Sequence, residues 1–248
     1  MEGVYGFYVT KTENEVSLLN DVKMTVCIAC LADNGTSVVL AADNMTTRNI
    51  SNGVAWEDEN ENNKKITKIS NSIFILAAGG SASSEIIEKA LISHSDTIEV
   101  ATDKLKQSYQ LVLQNMKLTT ILIPNGFKTW DDYINNQNKL HPNIAGEIFN
   151  RLNTPFDNYF TVVAINTESN KIEIRTLYPN CAIDDCKFGV SIIGNGTPIA
   201  TFSLMKSKYS PLMDLNTVKS IVIEAMEDAS HSPGVGKLGE LITLTTPL

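Results

Sequence analysis

Met24-Thr25-Val26-Cys27-Ile28-Ala29-Cys30-Leu31 is a short apolar, β-branched run, the pattern of a buried strand. Its second residue, Thr25, carries a hydroxyl, a poor nucleophile until a base removes its proton. One chemical solution is the threonine's own free α-amino group. That amine has a reference pKa of roughly 8, close enough to neutrality to act as base without a histidine. The solution requires Thr25 to be the first residue of the mature chain. Removal of Met24 as an initiator, or a cut after it, meets that condition.

Outward from this run, Asp33-Asn34-Gly35 supplies a hairpin turn, and residues 36–42 read as a second strand leading into Asp43. The polar stretch 44–63, with an acidic run at 57–61, reads as a long exposed loop. Residues 64–69 alternate polar and apolar, and residues 73–78 form a third buried strand that ends in Gly79-Gly80-Ser81. Helices are expected next. Ser81 caps the first, with Glu85 in its first turn, and a second carries Leu105, Tyr109, Val112 and Met116. Residues 120–156, punctuated by Pro124-Asn125-Gly126 and His141-Pro142, read as an insertion. Residues 160–165 and 171–177 pair as a hairpin, and 188–193 form a further strand. Thr197-Pro198 opens a helix with threonine at the N-cap, a last long helix spans Val218 to Met226, and a strand at 241–244 closes the chain. Runs of strands separated by runs of helices favour stacked antiparallel sheets and helices, an α+β architecture.

Composition narrows the function classes. At 248 residues and 43% hydrophobic, the chain buries a full core. A net charge of -8 and a pI near 4.9 argue against nucleic acid or an anionic membrane as main partner. Residues 1–23 contain no apolar segment long enough for export and read as a leader, a pro-segment or a misassigned start, ahead of a single domain at 24–248. A cytoplasmic location is the expectation. Cys27 and Cys30 form a C-x-x-C, but on a strand their side chains point to opposite faces, so buried thiols are expected rather than a redox or metal pair. No metal or cofactor is called for.

The start at Thr25, the segment Val38-Val39-Leu40-Ala41-Ala42-Asp43, the pair Lys64-Lys65 before Ile66, and Leu76-Ala77-Ala78-Gly79-Gly80 together resemble a proteasome β-type subunit, a member of the N-terminal-nucleophile (Ntn) hydrolase superfamily. The likeness continues at Ile193-Gly194-Asn195-Gly196 and Glu227-Asp228-Ala229. It implies a four-layer α-β-β-α sandwich and a threonine-type peptidase or amidohydrolase working in a homo-oligomer on a peptide or amide substrate. Carried over residue by residue, it makes Thr25 the nucleophile and Lys65 an ammonium that keeps the Thr25 amine unprotonated. Asp43 becomes the partner of that lysine, and Gly79 the backbone donor to the oxyanion, helped by the following helix dipole. Asn195, Asp228, His231 and Ser232 fall at the supporting positions.

The chain departs from the pattern in several places. Lys23-Met24 stands where a glycine usually precedes the threonine, Asn195 stands where a serine is common, and His231 occupies a serine's nominal place, where it also suits a helix-end cap. On the same alignment the substrate pocket is lined by Thr46, Asn63, Thr67, Ala77, Ser81 and Glu85. The small Ala77 and acidic Glu85 point to a basic or large polar side chain before the cut bond. Two other readings stay open at this level: an Ntn amidohydrolase acting on a small amide, and an inactive α-like structural subunit that keeps its leader.

Overall fold

A computed structural model of the protein describes residues 25–51, 54–59, 63–80, 82–154 and 156–247, and the side chains of 47–51 and 54–57 fall outside that description. The expectations for residues 1–23 and Ser81 lie outside the described residues.

Strand β1 (Cys27–Ala32) pairs antiparallel with β2 (Ser37–Asp43), with Cys27 opposite Ala42 and Ala32 opposite Ser37. The turn between them places Asp33, Asn34 and Gly35 at φ of 50°, 57° and 83°. Asn, Asp and Gly tolerate that left-handed region best. With β10 (Val190–Ile193) on the far side of β1 and β11 (Leu238–Thr245) on the far side of β2, these strands form one sheet, ordered β10-β1-β2-β11. A second antiparallel sheet runs β5 (Ile66–Lys68), β6 (Ile73–Gly79), β7 (Asn158–Asn166), β8 (Lys171–Leu177) and β9 (Ile183–Asp184).

The period-2 alternation of the strands sorts three apolar layers. Cys27, Ala29, Leu40 and Ala42 meet Phe74, Leu76, Val163 and Ile174 of the second sheet. The opposite faces of β1 and β2, including Ile28, Cys30, Val39 and Ala41, pack on α5 (Thr197–Lys206) and α6 (Leu215–Ser230). On the far side of the second sheet, Ile73, Ile75, Phe160 and Val162 receive α1 (Ser83–Lys89) and α2 (Ile98–Lys117) through Ile86, Leu105 and Tyr109. The product is a four-layer α-β-β-α sandwich. Strands buried on both faces explain why β1 and β2 read as continuous apolar runs, and each buried aliphatic side chain contributes about 1.5–3 kcal/mol. Cys27 and Cys30 fall on opposite faces of β1, in two separate layers, and both are free thiols.

Several local expectations are corrected. Stretch 44–63 is not a plain loop: β3 (Met45–Ser51) and β4 (Val54–Glu59) pair as an antiparallel ribbon. Its polar sequence has no apolar alternation, so the backbone pairing leaves no trace in the pattern. Helix α1 begins with Ala82 at its N-cap and no capping side chain, while α5 is preceded by Gly196, which puts Thr197 inside the helix with its hydroxyl on Gly194 O at 2.6 Å. Strand β10 starts only at Val190, because Gly189 adopts φ 72° and Phe188 lies 85% exposed. Among the described residues, much of the stretch 120–156 is helical. Chain beyond α2 makes a π-helical turn (Leu118–Leu122), then α3 (Trp130–Asn136) and α4 (Pro142–Asn153), gathered round Leu122, Phe127, Tyr133 and Ile148. Among the described residues no helix is long and apolar enough to cross a membrane.

Candidate active site

Asp43 ends β2 and is completely buried. Its Oδ1 accepts the Thr25 hydroxyl, the Val26 N–H at 2.9 Å and the Lys65 ammonium at 2.7 Å. Oδ2 accepts the N–H groups of Met45 at 3.1 Å and Gly236 at 3.0 Å. Burying a carboxylate costs several kcal/mol unless it is paired and its oxygens are bonded, and both conditions hold here. The β1–β2 register sets this up: Asp43 N–H continues the ladder to Val26 O at 3.2 Å, which leaves the Asp43 side chain beside Thr25.

Lys65 precedes β5, and its carbonyl accepts the Ala77 N–H at 2.9 Å. Its side chain is 14% exposed, and the ammonium donates to both the Thr25 hydroxyl oxygen and Asp43. Thr25 itself is 3% exposed. The loop before α5 wraps it, with Gly196 N–H on Thr25 O at 3.1 Å. Gly194 sits at φ 96°, and a Cβ there would lie 2.3 Å from Thr25 O, so only glycine passes at this point. Three of the residues singled out in the sequence thus meet in one place, a hydroxyl held between a cation and a carboxylate.

Gly79 closes β6 at φ 107°, and a Cβ would lie 1.5 Å from Asp157 O. The helix expected to assist it starts only at Ser83 and is seven residues long, so little macrodipole is aimed there. Asn195 lies in the wrapping loop with its side chain exposed. Asp228 is half-buried at the end of α6, where its carbonyl accepts the His231 N–H at 3.3 Å, and Ser232 N–H bonds Ala229 O at 2.9 Å. The bonds of His231 and Ser232 therefore close the helix end rather than reach Thr25, and His231 is exposed as the C-cap.

Of the residues expected to line a substrate pocket, Asn63 ties its amide to Asn44 O at 3.3 Å, and Thr46, Thr67 and Ala77 are half-buried. Glu85 is exposed and paired with Lys89 at 2.7 Å, so the acidic wall expected there carries its own cation. Cys27 donates its Sγ–H to Ala77 O at 3.5 Å, and burial pushes its thiol far above the usual range, which leaves it neutral and unreactive.

Two contributors escaped the sequence reading. Gly236, in the loop after α6, supplies an N–H to Asp43, and Glu240 on β11 accepts the backbone N–H of Lys65 at 2.6 Å and of Ile66 at 3.1 Å. An acid inside the otherwise apolar closing strand was the signal available for Glu240. Nothing local marks Gly236.

No protein-family model and no curated protein matches the chain. Among solved structures it is similar to eukaryotic HslV from Trypanosoma brucei, at 14% identity over 89% of this chain and 99% of that one, with a TM-score of 0.50. At that identity the likeness speaks for the fold. The chain therefore shares the fold of that HslV structure.

Proposed function

We propose that this chain is an N-terminal-threonine hydrolase that cleaves peptide or amide bonds through an acyl-enzyme on Thr25. The observation that carries the reading is the buried contact of the Thr25 hydroxyl with the Lys65 ammonium and the Asp43 carboxylate. With Thr25 at the chain end, its Oγ attacks the carbonyl carbon while the hydroxyl proton passes to the α-amine. Lys65 stabilises the developing negative oxygen of the nucleophile and disfavours a second positive charge on the amine. Asp43 holds Lys65 by a charge-assisted bond.

For the substrate oxyanion, Gly79 is the proposed donor. Ala77 N–H turns to the β5 side of β6 and Gly80 N–H to Asp157 O at 3.1 Å. By the alternation of an antiparallel ladder, the Gly79 N–H faces the β5 side, where Thr25 and Lys65 lie. Such a donor is worth about 3 kcal/mol in the transition state. Collapse expels the amine, which takes the proton from the α-ammonium. Water, activated by the same amine, then releases the acid and restores Thr25.

The test begins with intact mass spectrometry of protein made in its own host, where a mature chain starting at Thr25 is expected. On that form, Thr25→Ala abolishes hydrolysis of a fluorogenic peptide panel and Thr25→Ser retains it. Full activity in Thr25→Ala excludes this nucleophile, and a mature chain starting at Met1 excludes the enzyme reading. A homo-oligomer is the proposed assembly, to be measured by size-exclusion chromatography with light scattering.

A further inference from the structure

We propose that Glu240 is a positioning residue for Lys65, gripping the backbone on which the ammonium is mounted; this rests on the reading of Thr25 and Lys65 above. Strand β5 is three residues long and, among the described residues, is the edge of its sheet, laddered to β6 alone. A short edge strand paired on one side is weakly held. Lys65 stands just ahead of it, so the direction of its side chain depends on what fixes that backbone. The second anchor comes from the other sheet. Glu240 Oε2 accepts two successive N–H groups, Lys65 at 2.6 Å and Ile66 at 3.1 Å. Adjacent amides converging on one carboxylate oxygen form a small anion-binding concavity, with charge-assisted bonds.

A bulge in β11 aims Glu240 there. Leu238 stands opposite Asp43 and Glu240 opposite Ala42, so Gly239 is the extra residue. A Cβ on Gly239 would lie 2.6 Å from the Asn44 Cβ, so the bulge requires glycine at the place where the strand passes the end of β2. Bulges re-aim side chains next to sites in this way. The same segment supplies the Gly236 N–H to Asp43 Oδ2. One passage of chain thus anchors both charged partners of Thr25, Asp43 by an amide and Lys65 by a carboxylate. Glu240 acts through the Lys65 backbone, so its effect belongs in kcat rather than in substrate binding.

Glu240→Ala removes the acceptor, and Glu240→Gln keeps a neutral one of the same length. In the full chain, amide hydrogen exchange at Lys65 and Ile66 is expected to accelerate at least tenfold in Glu240→Ala and to stay near the parent rate in Glu240→Gln. In the form beginning at Thr25, Glu240→Ala is expected to lower kcat by roughly tenfold to a hundredfold with KM little changed, the cost of misplacing a catalytic group by about 1 Å. Glu240→Gln restores most of kcat. Unchanged kcat in Glu240→Ala overturns the proposal, as does Glu240→Gln behaving no better than alanine. If the parent form hydrolyses nothing, the nucleophile reading falls instead, and the exchange rates alone decide whether Glu240 holds the Lys65 backbone.

Discussion

Replacing Asp43 by asparagine keeps the shape of the side chain while removing its charge and one of two acceptor oxygens. In the parent, Oδ1 serves Thr25, Val26 and Lys65, and Oδ2 serves Met45 and Gly236. The less costly orientation of the amide puts its carbonyl on the first set and its NH₂ against the N–H groups of Met45 and Gly236. Two buried donors then lose their acceptor, at about 1–3 kcal/mol each. Lys65, 14% exposed, loses its counter-charge, and breaking a buried pair costs about 3–5 kcal/mol. Partial exposure and relaxation place the sum near 5 kcal/mol, a large part of the ~5–15 kcal/mol that holds a domain folded. For a chain of this size that is a fall in Tm of roughly 10–20 °C. Lys65→Met removes the other charge, and the double variant no longer pays for an isolated ion. Urea unfolding of parent, both single variants and the double variant is expected to return a coupling of about 2–3 kcal/mol. Additivity of the two single effects to within about 0.5 kcal/mol would refute the buried pair. Loss of hydrolysis in either single variant, without that coupling, would not rescue it.

Gly194→Ala forces a side chain into φ 96° and against Thr25 O, and is expected to cost about 3 kcal/mol, read as a lower urea midpoint. Its control is Gly146→Ala in α4, which meets nothing within 4 Å and is expected to be neutral or to stabilise by up to about 1 kcal/mol; equal effects at the two sites would refute the close approach at Thr25. Asp96 has its carboxyl held below the usual range by the Lys104 ammonium first and the Ser93 N–H second. A depressed folded-state value gives stability that is present above the unfolded pKa of roughly 4 and is lost as pH falls through the folded value. Lys104→Met is therefore expected to lower stability slightly, by less than about 1 kcal/mol, at neutral pH, with the difference closing as pH falls through the folded-state value. A difference that widens on acidification contradicts the assignment.

Much of the sandwich was written in local pattern. Strand β8 coincides with its expected bounds, and β1, β2 and β6 shift by a residue or two, because strands buried on both faces need unbroken apolar runs. The ribbon β3–β4 was not legible, since polar strands paired through the backbone carry no periodic signal. The start of α5 went astray at Thr197, where a residue suited to capping follows a glycine loop whose path, not its side chains, sets the first helical turn.

The order and spacing of Thr25, Asp43, Lys65 and Gly79 were available from the chain alone, as was their chemistry, because residue type and strand ends are local properties. The meeting of Thr25, Asp43 and Lys65 was not. Register between β1 and β2 puts the carboxylate beside the hydroxyl, stacking of two sheets carries the lysine to them, and the loop into β11 and the strand itself return from the far end of the chain with Gly236 and Glu240 to anchor both. Hydrogen bonds that span about 175 residues of chain leave no mark in any window of sequence, so only the packed sheets decide them.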